Sequence, residues 1–426
     1  MDPISARLLA RHPQKIDLSL DRIQRLLAAV GNPQDQLPPV VHVAGTNGKG
    51  STVAFLRAMA EADGWAVSVY TSPHLVRFNE RIRLAGCLIE DIELERILDQ
   101  LDGVDADVRA TVFEMTTAAA FLAMAAVPAD LAIVEVGLGG LLDATNVIDH
   151  PRLSVITPVD LDHAEFLGTD LTGIAREKAG ILKPGRPAVI ARQQDLAMEA
   201  IETRAGELGA PLSVLGRDFD AWAERGRLTW QGEDRLLDLP LPALVGPHQI
   251  DNAGLAVAAA LQLGLSVEAI GEGLRTARWP ARMQPLTAGP YADEARIAGA
   301  ELWLDGGHNP HAARALADAL TQLDLKAPRP LALIAGMLAN KDAGGFFEAF
   351  SLFGAPVFTV PFEGACRPPE DLAEAARQAG LRAQAMPDVT TALRAALSEG
   401  AGRVLICGSL YLAGEVLGAS PDTWPT

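Results

Sequence analysis

One stretch near the start of this chain restricts its fold more than any other: Gly45-Thr46-Asn47-Gly48-Lys49-Gly50-Ser51, directly after the apolar run Val40-Val41-His42-Val43. A β-branched run that stops at a glycine-rich turn and restarts as Ser51-Thr52-Val53-Ala54-Phe55-Leu56 predicts strand, loop and helix. Such a turn suits a polyphosphate. Backbone N–H groups point into it, the positive end of the helix faces the anion, and a lysine reaches the terminal phosphates. The match to the standard phosphate loop is imperfect, because Val43 stands where the first glycine belongs and Gly50 separates Lys49 from Ser51. Lys49 and Ser51 at the helix start still favour nucleotide binding over a plain tight connection. Thr46, Asn47, Gly48, Lys49, Gly50 and Ser51 are therefore the candidate phosphate-binding residues.

A chain of 426 residues is long enough for two domains, each with its own core. Its net charge of −18 argues against a nucleic-acid surface, so an anionic substrate has to be held by local cations, metal ions or helix ends. Cys87, Cys366 and Cys407 are odd in number and widely spaced, which predicts a reducing compartment rather than a disulfide framework. Met1 to Gln14 carries no signal-peptide pattern, and the apolar stretch Ala118 to Val127 is too short to span a bilayer. A cytoplasmic protein with no membrane or nucleic-acid partner, acting as a monomer, is expected.

Short β-branched runs alternate with amphipathic segments through the first half: Val40 to Val43, Ala66 to Tyr70, Leu131 to Val136 and Leu153 to Thr157. This predicts a parallel, doubly wound α/β sheet with functional residues beyond the carboxyl ends of its strands. Between Phe219 and Pro247 short tryptophan-containing pieces predict a small antiparallel hairpin or insertion, followed by a helix from Asn252 to Leu263. Alternation resumes at Leu302 to Asp305, Leu331 to Ile334, Val357 to Val360 and Val404 to Cys407. We place the boundary between a larger domain, 1–282, and a smaller Rossmann-like α/β domain, 283–426.

A triphosphate needs magnesium, and magnesium needs hard oxygen ligands. Ser51 is one candidate. Glu135 is another, since a carboxylate inside an apolar strand is costly unless it is paired or coordinating. The metal reading is favoured over a solvated strand end. His163, beside Asp160 and Asp162, divides evenly between a metal or phosphate role and a structural one. His74 is similarly placed after a strand, and Ser72 offers a further oxygen. Lys178, taken alone, reads as a lysine neutralising the end of its helix. Asp305-Gly306-Gly307-His308-Asn309-Pro310 predicts a helix capped at Asn309, with an aspartate and histidine suited to a ribose or a carboxylate. These residues alone predict an enzyme binding ATP and magnesium in a cleft between two α/β domains.

Taken together the motifs resemble the Mur ligase superfamily, and within it the dihydrofolate synthase/folylpolyglutamate synthase family. The resemblance runs through Ile16 to Leu20, Gly45 to Ser51, Thr71 to Leu75, Glu135 to Gly140, Asp143 to Asn146, Leu161 to His163, Arg176 to Gly180, Asp305 to Pro310, Gly336 to Leu338 and Cys407 to Ser409. It implies an N-terminal ATP-binding domain, a C-terminal glutamate-ligase domain and ATP-dependent joining of L-glutamate to dihydropteroate and to reduced folates. By the same resemblance Lys49 holds the β- and γ-phosphates, while Ser51, Ser72 and Glu135 surround a first magnesium and His163 binds a second. Lys178 matches a carboxylated lysine, which displaces the helix-end reading. Asn252, Arg282 and Asp305 match ATP contacts, His308 and Ser409 glutamate contacts, and Asp17, Leu18, Thr111, Phe113, Leu142 and Asp143 the surroundings of the pterin.

Three positions depart from the family pattern. Leu141 stands where many relatives have arginine, Ala281 replaces a glycine before Arg282, and Ser19 replaces a glycine in the N-terminal motif. None touches the phosphate loop or the metal residues. Cell-wall Mur ligases are disfavoured, since only 44 residues precede Gly45, too few for their uridine-nucleotide domain. A non-catalytic nucleotide sensor has no use for Glu135, His163 and Lys178 together.

Overall fold

The structure, a computed structural model, describes residues 2–12, 19–105 and 108–426. Its two compact units are Met1–Ala243 with Ile250–Arg278, and Leu244–Gln249 with Trp279–Thr426.

The first unit is built on an eight-stranded sheet. In spatial order its strands are Cys87–Leu88, Ile82–Leu84, Val67–Tyr70, Leu131–Glu135, Val40–Ala44, Leu153–Ile156, Ala188–Ile190 and Leu212–Val214. The first two join by antiparallel pairing and the rest run parallel. The strand before the phosphate loop is central: Val43 is in register with Glu135, and Ala44 with Ile156. Every residue of Val40–Ala44 is buried, as a parallel strand covered on both faces requires. The helix that follows, Lys49–Ala62, is buried nearly all round. It meets the helix Val267–Thr276 closely, and only a glycine fits there: a Cβ on Gly273 lies 2.4 Å from the Met59 nitrogen.

The insertion between Phe219 and Pro247 is a three-stranded antiparallel sheet, one strand more than a hairpin, of Phe219–Glu224, Arg227–Gly232 and Leu236–Pro240. Trp230 anchors it, stacking on Phe219 at 5.7 Å and donating its indole N–H to the Gly254 carbonyl at 3.1 Å. The helix expected from Asn252 starts one turn earlier, at His248.

The second unit has a six-stranded sheet: Gln284–Pro285, Glu301–Leu304, Arg403–Cys407, Leu331–Ala335, Val357–Thr359 and Ala383–Ala385. Only the first pairing is antiparallel. One face packs on a cluster containing Phe346, Phe347 and Phe350, all fully buried. Truncating any one of these to alanine costs about 3–5 kcal/mol. Among the described residues no helix is long and apolar enough to cross a membrane.

Candidate active site

The phosphate loop is shaped by its glycines and by the segment after the neighbouring strand Leu153–Ile156. Gly45 has φ +146°, and a Cβ there would lie 1.9 Å from the Thr157 hydroxyl oxygen. The Thr46 and Asn47 N–H groups donate to the Pro158 carbonyl at 2.9 and 3.3 Å. The Thr46 hydroxyl donates to the Asp160 carbonyl at 2.9 Å and accepts from the Asp160 N–H at 3.0 Å. The first two amides of the loop thus serve the fold rather than an anion. The N–H groups of the first turn of Lys49–Ala62 have no partner within the helix. Gly48 precedes that turn at φ +88°, and a Cβ on it would lie 2.5 Å from the Asn252 side-chain oxygen. Asn252 is therefore set against the loop. Gly50 and Ser51 are buried in the first turn.

Two lysines converge on one carbonyl. Lys49 Nζ donates to the Gly45 and Thr46 oxygens at 3.1 and 3.3 Å, and Lys178 Nζ donates to the Gly45 oxygen at 3.0 Å. Lys178 is 5% exposed. Burial and the charge of Lys49 push its amine down to about 7, against the opposing pull of Asp162, Asp143 and Glu177. The helix-end reading of Lys178 is thereby overturned. The side chain leaves Leu171–Ala179 for the phosphate loop, and the helix is closed by the Gly180 N–H bonding back to Arg176 and Glu177.

Glu135 ends its strand, 5% exposed, and accepts the Ser72 N–H at 3.3 Å, which brings two of the expected metal residues together. His163 lies on the segment that Asp160 ties to Thr46; it is exposed, with φ +53°, and Asp162 caps its N–H at 2.7 Å. Among the described residues no three His, Cys, Asp or Glu side chains cluster to hold a metal, so a hard cation here depends on serine oxygens as well. His74 has a structural partnership instead. Arg81 donates to its Nδ1 at 2.9 Å, and its Nε2 faces Asp2 at 3.4 Å.

Asp17 and Leu18 lie outside the described residues. Thr111 caps the helix Val112–Ala126 in a reciprocal box with Glu114. Phe113 fills the space beside Gly137, where a Cβ would lie 2.3 Å from its ring, and stacks on Tyr70 at 6.3 Å. Leu142 is half-buried and Leu141 is 41% exposed. Asp143 is 3% exposed, and its carboxylate accepts the Leu138 and Thr145 N–H groups at 2.8 and 3.0 Å. Burial pushes this carboxyl up, against those hydrogen bonds.

In the second unit, Asp305 accepts the Met283 and Gly307 N–H groups at 2.7 and 2.6 Å, and burial pushes its carboxyl up despite the nearby Arg282 charge. Arg282 donates to the Ala281 carbonyl at 2.8 Å. His308 Nδ1 bonds the Gly306 carbonyl at 2.9 Å, which assigns a hydrogen to Nδ1. Asn309 caps the helix Pro310–Lys326 as expected. Ser409 caps Leu410–Gly418 through the Tyr411 N–H at 3.1 Å. Sequence reasoning gave no role of their own to Thr157, Asp160, His42 and Thr145. Thr157 and Asp160 lie just beyond the strand Leu153–Ile156, and His42 shows only as a polar residue inside an apolar strand.

Two family models match the chain: the Mur ligase middle domain over residues 43–260 and the Mur ligase glutamate ligase domain over 292–410. The folylpolyglutamate synthase of Lacticaseibacillus casei is 35% identical over 417 residues, covering 93% of this chain and 92% of that protein. The Escherichia coli dihydrofolate synthase/folylpolyglutamate synthase is 33% identical, covering 95% and 92%. A crystal structure of the bifunctional Yersinia pestis enzyme superposes with TM-score 0.86 at 34% identity, covering 98% of both chains. An E. coli structure in complex with DHPP and ADP gives TM-score 0.84 at 32% identity, covering 96% and 95%. With two Mur ligase domains in order and such relatives along nearly its whole length, the chain belongs to the Mur ligase family, among the ATP-dependent glutamate ligases of the dihydrofolate synthase/folylpolyglutamate synthase type.

Proposed function

We propose that the enzyme joins L-glutamate to dihydropteroate and extends reduced folates, each through an acyl phosphate. The observation that carries this reading is the convergence of Lys49 and Lys178 on the Gly45 carbonyl, beside the strand whose last residue is Glu135.

The residues fit the groups the reaction needs. Gly45 and Gly48 let Thr157 and Asn252 close against the loop, and the helix start and Lys49 supply positive charge for phosphates. Glu135 is a buried carboxylate beside Ser72, a hard-oxygen pair for magnesium. Ser51, Ser72 and Glu135 would hold one metal and His163 a second. Bound divalent metal supplies charge neutralisation as the phosphoryl group moves.

The substrate carboxylate attacks the γ-phosphorus of ATP, ADP leaves, and the acyl phosphate forms. The α-amine of glutamate then attacks the acyl carbon, phosphate departs, and the amine gives up a proton to leave an amide. Lys49 binds and orients the phosphates, while Asn252, Arg282 and Asp305 hold the nucleotide. His308 and Ser409 bind glutamate in the domain 283–426, and Thr111, Phe113, Leu142 and Asp143 border the pterin. Lys178 has the free-base character needed to take up CO2 as a carbamate, since burial and Lys49 hold its amine near neutrality. Carboxylation releases one proton and turns a cation beside the phosphates into an anion suited to a metal.

ADP release tests the reading, measured with glutamate and then with dihydropteroate or tetrahydrofolate added in turn. Turnover requiring both glutamate and a pterin substrate is expected. ATP binding with no glutamate-dependent turnover identifies a nucleotide sensor instead. A monomer is expected by sedimentation.

A further inference from the structure

The chemistry above leaves His42 unused. It is the central residue of Val40–Ala44, fully buried, opposite Val134 on one side and Ser154 on the other. Its Nε2 lies 2.8 Å from the Thr145 hydroxyl, and that hydroxyl lies 2.5 Å from Asp143 Oδ1. Oδ1 also accepts the Thr145 N–H at 3.0 Å, and Oδ2 accepts the Leu138 N–H at 2.8 Å. Backbone donors on both oxygens make the carboxylate the acceptor throughout, so the Thr145 hydrogen points to Asp143 and its lone pair faces His42. His42 therefore donates from Nε2. Its Nδ1 carries no hydrogen and is buried without a partner. Burial also drives the imidazole down to about 3, so it stays neutral at working pH.

A valine at this position packs without stranding a buried acceptor, and the histidine costs stability for the sake of one directed donor. The receiver of that donor explains the arrangement. Asp143 anchors Gly137-Leu138-Gly139-Gly140, a glycine-rich turn with little stiffness of its own. Gly137 in turn bears on Phe113. We propose that His42 is a positioning residue for the pterin-carrying acid: through Thr145 it fixes the Asp143 carboxylate, and so the turn against which that substrate sits. The inference rests on the pterin-side assignment of this turn.

His42→Leu removes the donor with little change in volume, Thr145→Val removes the relay hydroxyl, and His42→Gln keeps an N–H near the position of Nε2. The first two are each expected to raise KM for dihydropteroate about ten-fold and leave KM for ATP within about two-fold. The double variant is expected to be no worse than either single change, because both cut the same chain. Gln is expected to restore KM to within about three-fold of wild type. A wild-type KM in both His42→Leu and Thr145→Val, or equal losses for ATP and pterin, overturns the proposal. Nitrogen NMR of histidine-labelled enzyme judges the relay without substrate: wild-type His42 is expected as the Nε2–H tautomer, and an Nδ1–H tautomer overturns it. Absence of dihydropteroate and folate turnover in the wild type instead overturns the functional reading and the substrate named here, while the tautomer still decides the relay.

Discussion

At the carboxyl edge of the eight-stranded sheet, side chains from distant parts of the chain close on one another's backbone. Lys178 reaches the Gly45 carbonyl across 133 positions, and Thr46 exchanges hydrogen bonds with Asp160 across 114. At the carboxyl edge of the six-stranded sheet most of the same work is local. Asn309 and Ser409 serve N–H groups within three residues, and Asp305 binds Gly307 two residues on. Its bond to Met283 and the Gly306 N–H bond to the Ala281 carbonyl reach further. An edge assembled from remote segments places charges for chemistry, and its side chains can be changed with little loss of fold. An edge assembled from local caps couples each polar residue to the start of an element, so substitutions there act first on stability.

The largest expected break of this contrast is Lys178→Ala. Loss of the amine leaves Lys49 to hold the phosphates, so ATP affinity is expected to stay within about three-fold while turnover falls roughly 100- to 1,000-fold. Equilibrium nucleotide binding and steady-state ADP release check both halves. The wild type adds a pH signature. With the Lys178 amine near 7, its uncharged fraction rises as pH goes from 6 to 8. Enzyme stripped of CO2 is therefore expected to regain activity faster at pH 8 than at pH 6 when dissolved CO2 is held constant. Near-normal rates in Lys178→Ala leave the residue as a tether of the loop.

Much of this architecture was legible beforehand, and the exceptions share a cause. Val40–Ala44, Leu131–Glu135 and Arg403–Cys407 announce themselves as apolar runs long enough to show a pattern. Ala188–Ile190, Leu212–Val214 and Ala383–Ala385 span three residues each, too few for any periodicity, and are strands only because a neighbour pairs with them. The chemistry divides likewise. Glu135 was visible as a carboxylate in an apolar strand and Asn309 as a cap. Lys178 was misread without the family resemblance, because its own neighbours describe a helix end and its partner lies on another strand's loop. His74, placed after a strand as His163 is, has Asp2 and Arg81 at its two nitrogens, partners from segments its own neighbours do not reveal.

Glu135→Gln is the next largest effect. The amide keeps the shape and loses the charge that binds a hard cation, so half-saturating magnesium is expected to rise roughly 10- to 100-fold. Thermal stability without metal is expected to hold or improve, because a buried charge is removed. A magnesium titration of ADP formation and a metal-free melt check the two outcomes. An unchanged titration leaves Glu135 an ordinary strand end.

Leu141→Arg sharpens the comparison within the first unit. The Leu141 N–H is held by the Glu177 carbonyl at 2.7 Å while its side chain is 41% exposed, so the backbone is fixed and the side chain is free to change. We expect the natural leucine to make the first glutamate addition the more efficient of the two. An arginine there regains a charged hydrogen bond to a glutamyl carboxylate, about 1.5–3 kcal/mol, or roughly ten- to a hundred-fold in affinity. KM for tetrahydrofolate is expected to fall accordingly, with dihydropteroate unaffected. Wild-type activity on only one of the two substrates sinks the bifunctional reading.

The smallest effect tests the local character of the second edge. Ala281 is fully buried at φ +53°, with its N–H bonded to the Gln284 side chain at 2.9 Å and its carbonyl accepting from Gly306 at 2.9 Å. Those bonds hold it left-handed, which costs an L-residue about 1–2 kcal/mol. Glycine removes that cost but adds about 0.4–1 kcal/mol of unfolded-chain entropy and gives up a buried methyl. With that methyl worth about 0.8 kcal/mol the contributions nearly cancel, and Ala281→Gly is expected to change stability by less than about 1 kcal/mol, a shift of a few degrees at most in the melting of the second unit. Calorimetry of the full chain reads it. Catalytic constants are expected to stay within about two-fold, because Arg282 and Asp305 keep their backbone anchors. A lower melting temperature means that the Cβ packs better than it strains. A large change in KM for ATP means instead that this edge tunes nucleotide binding through its turn, and that the contrast with the first edge is one of degree.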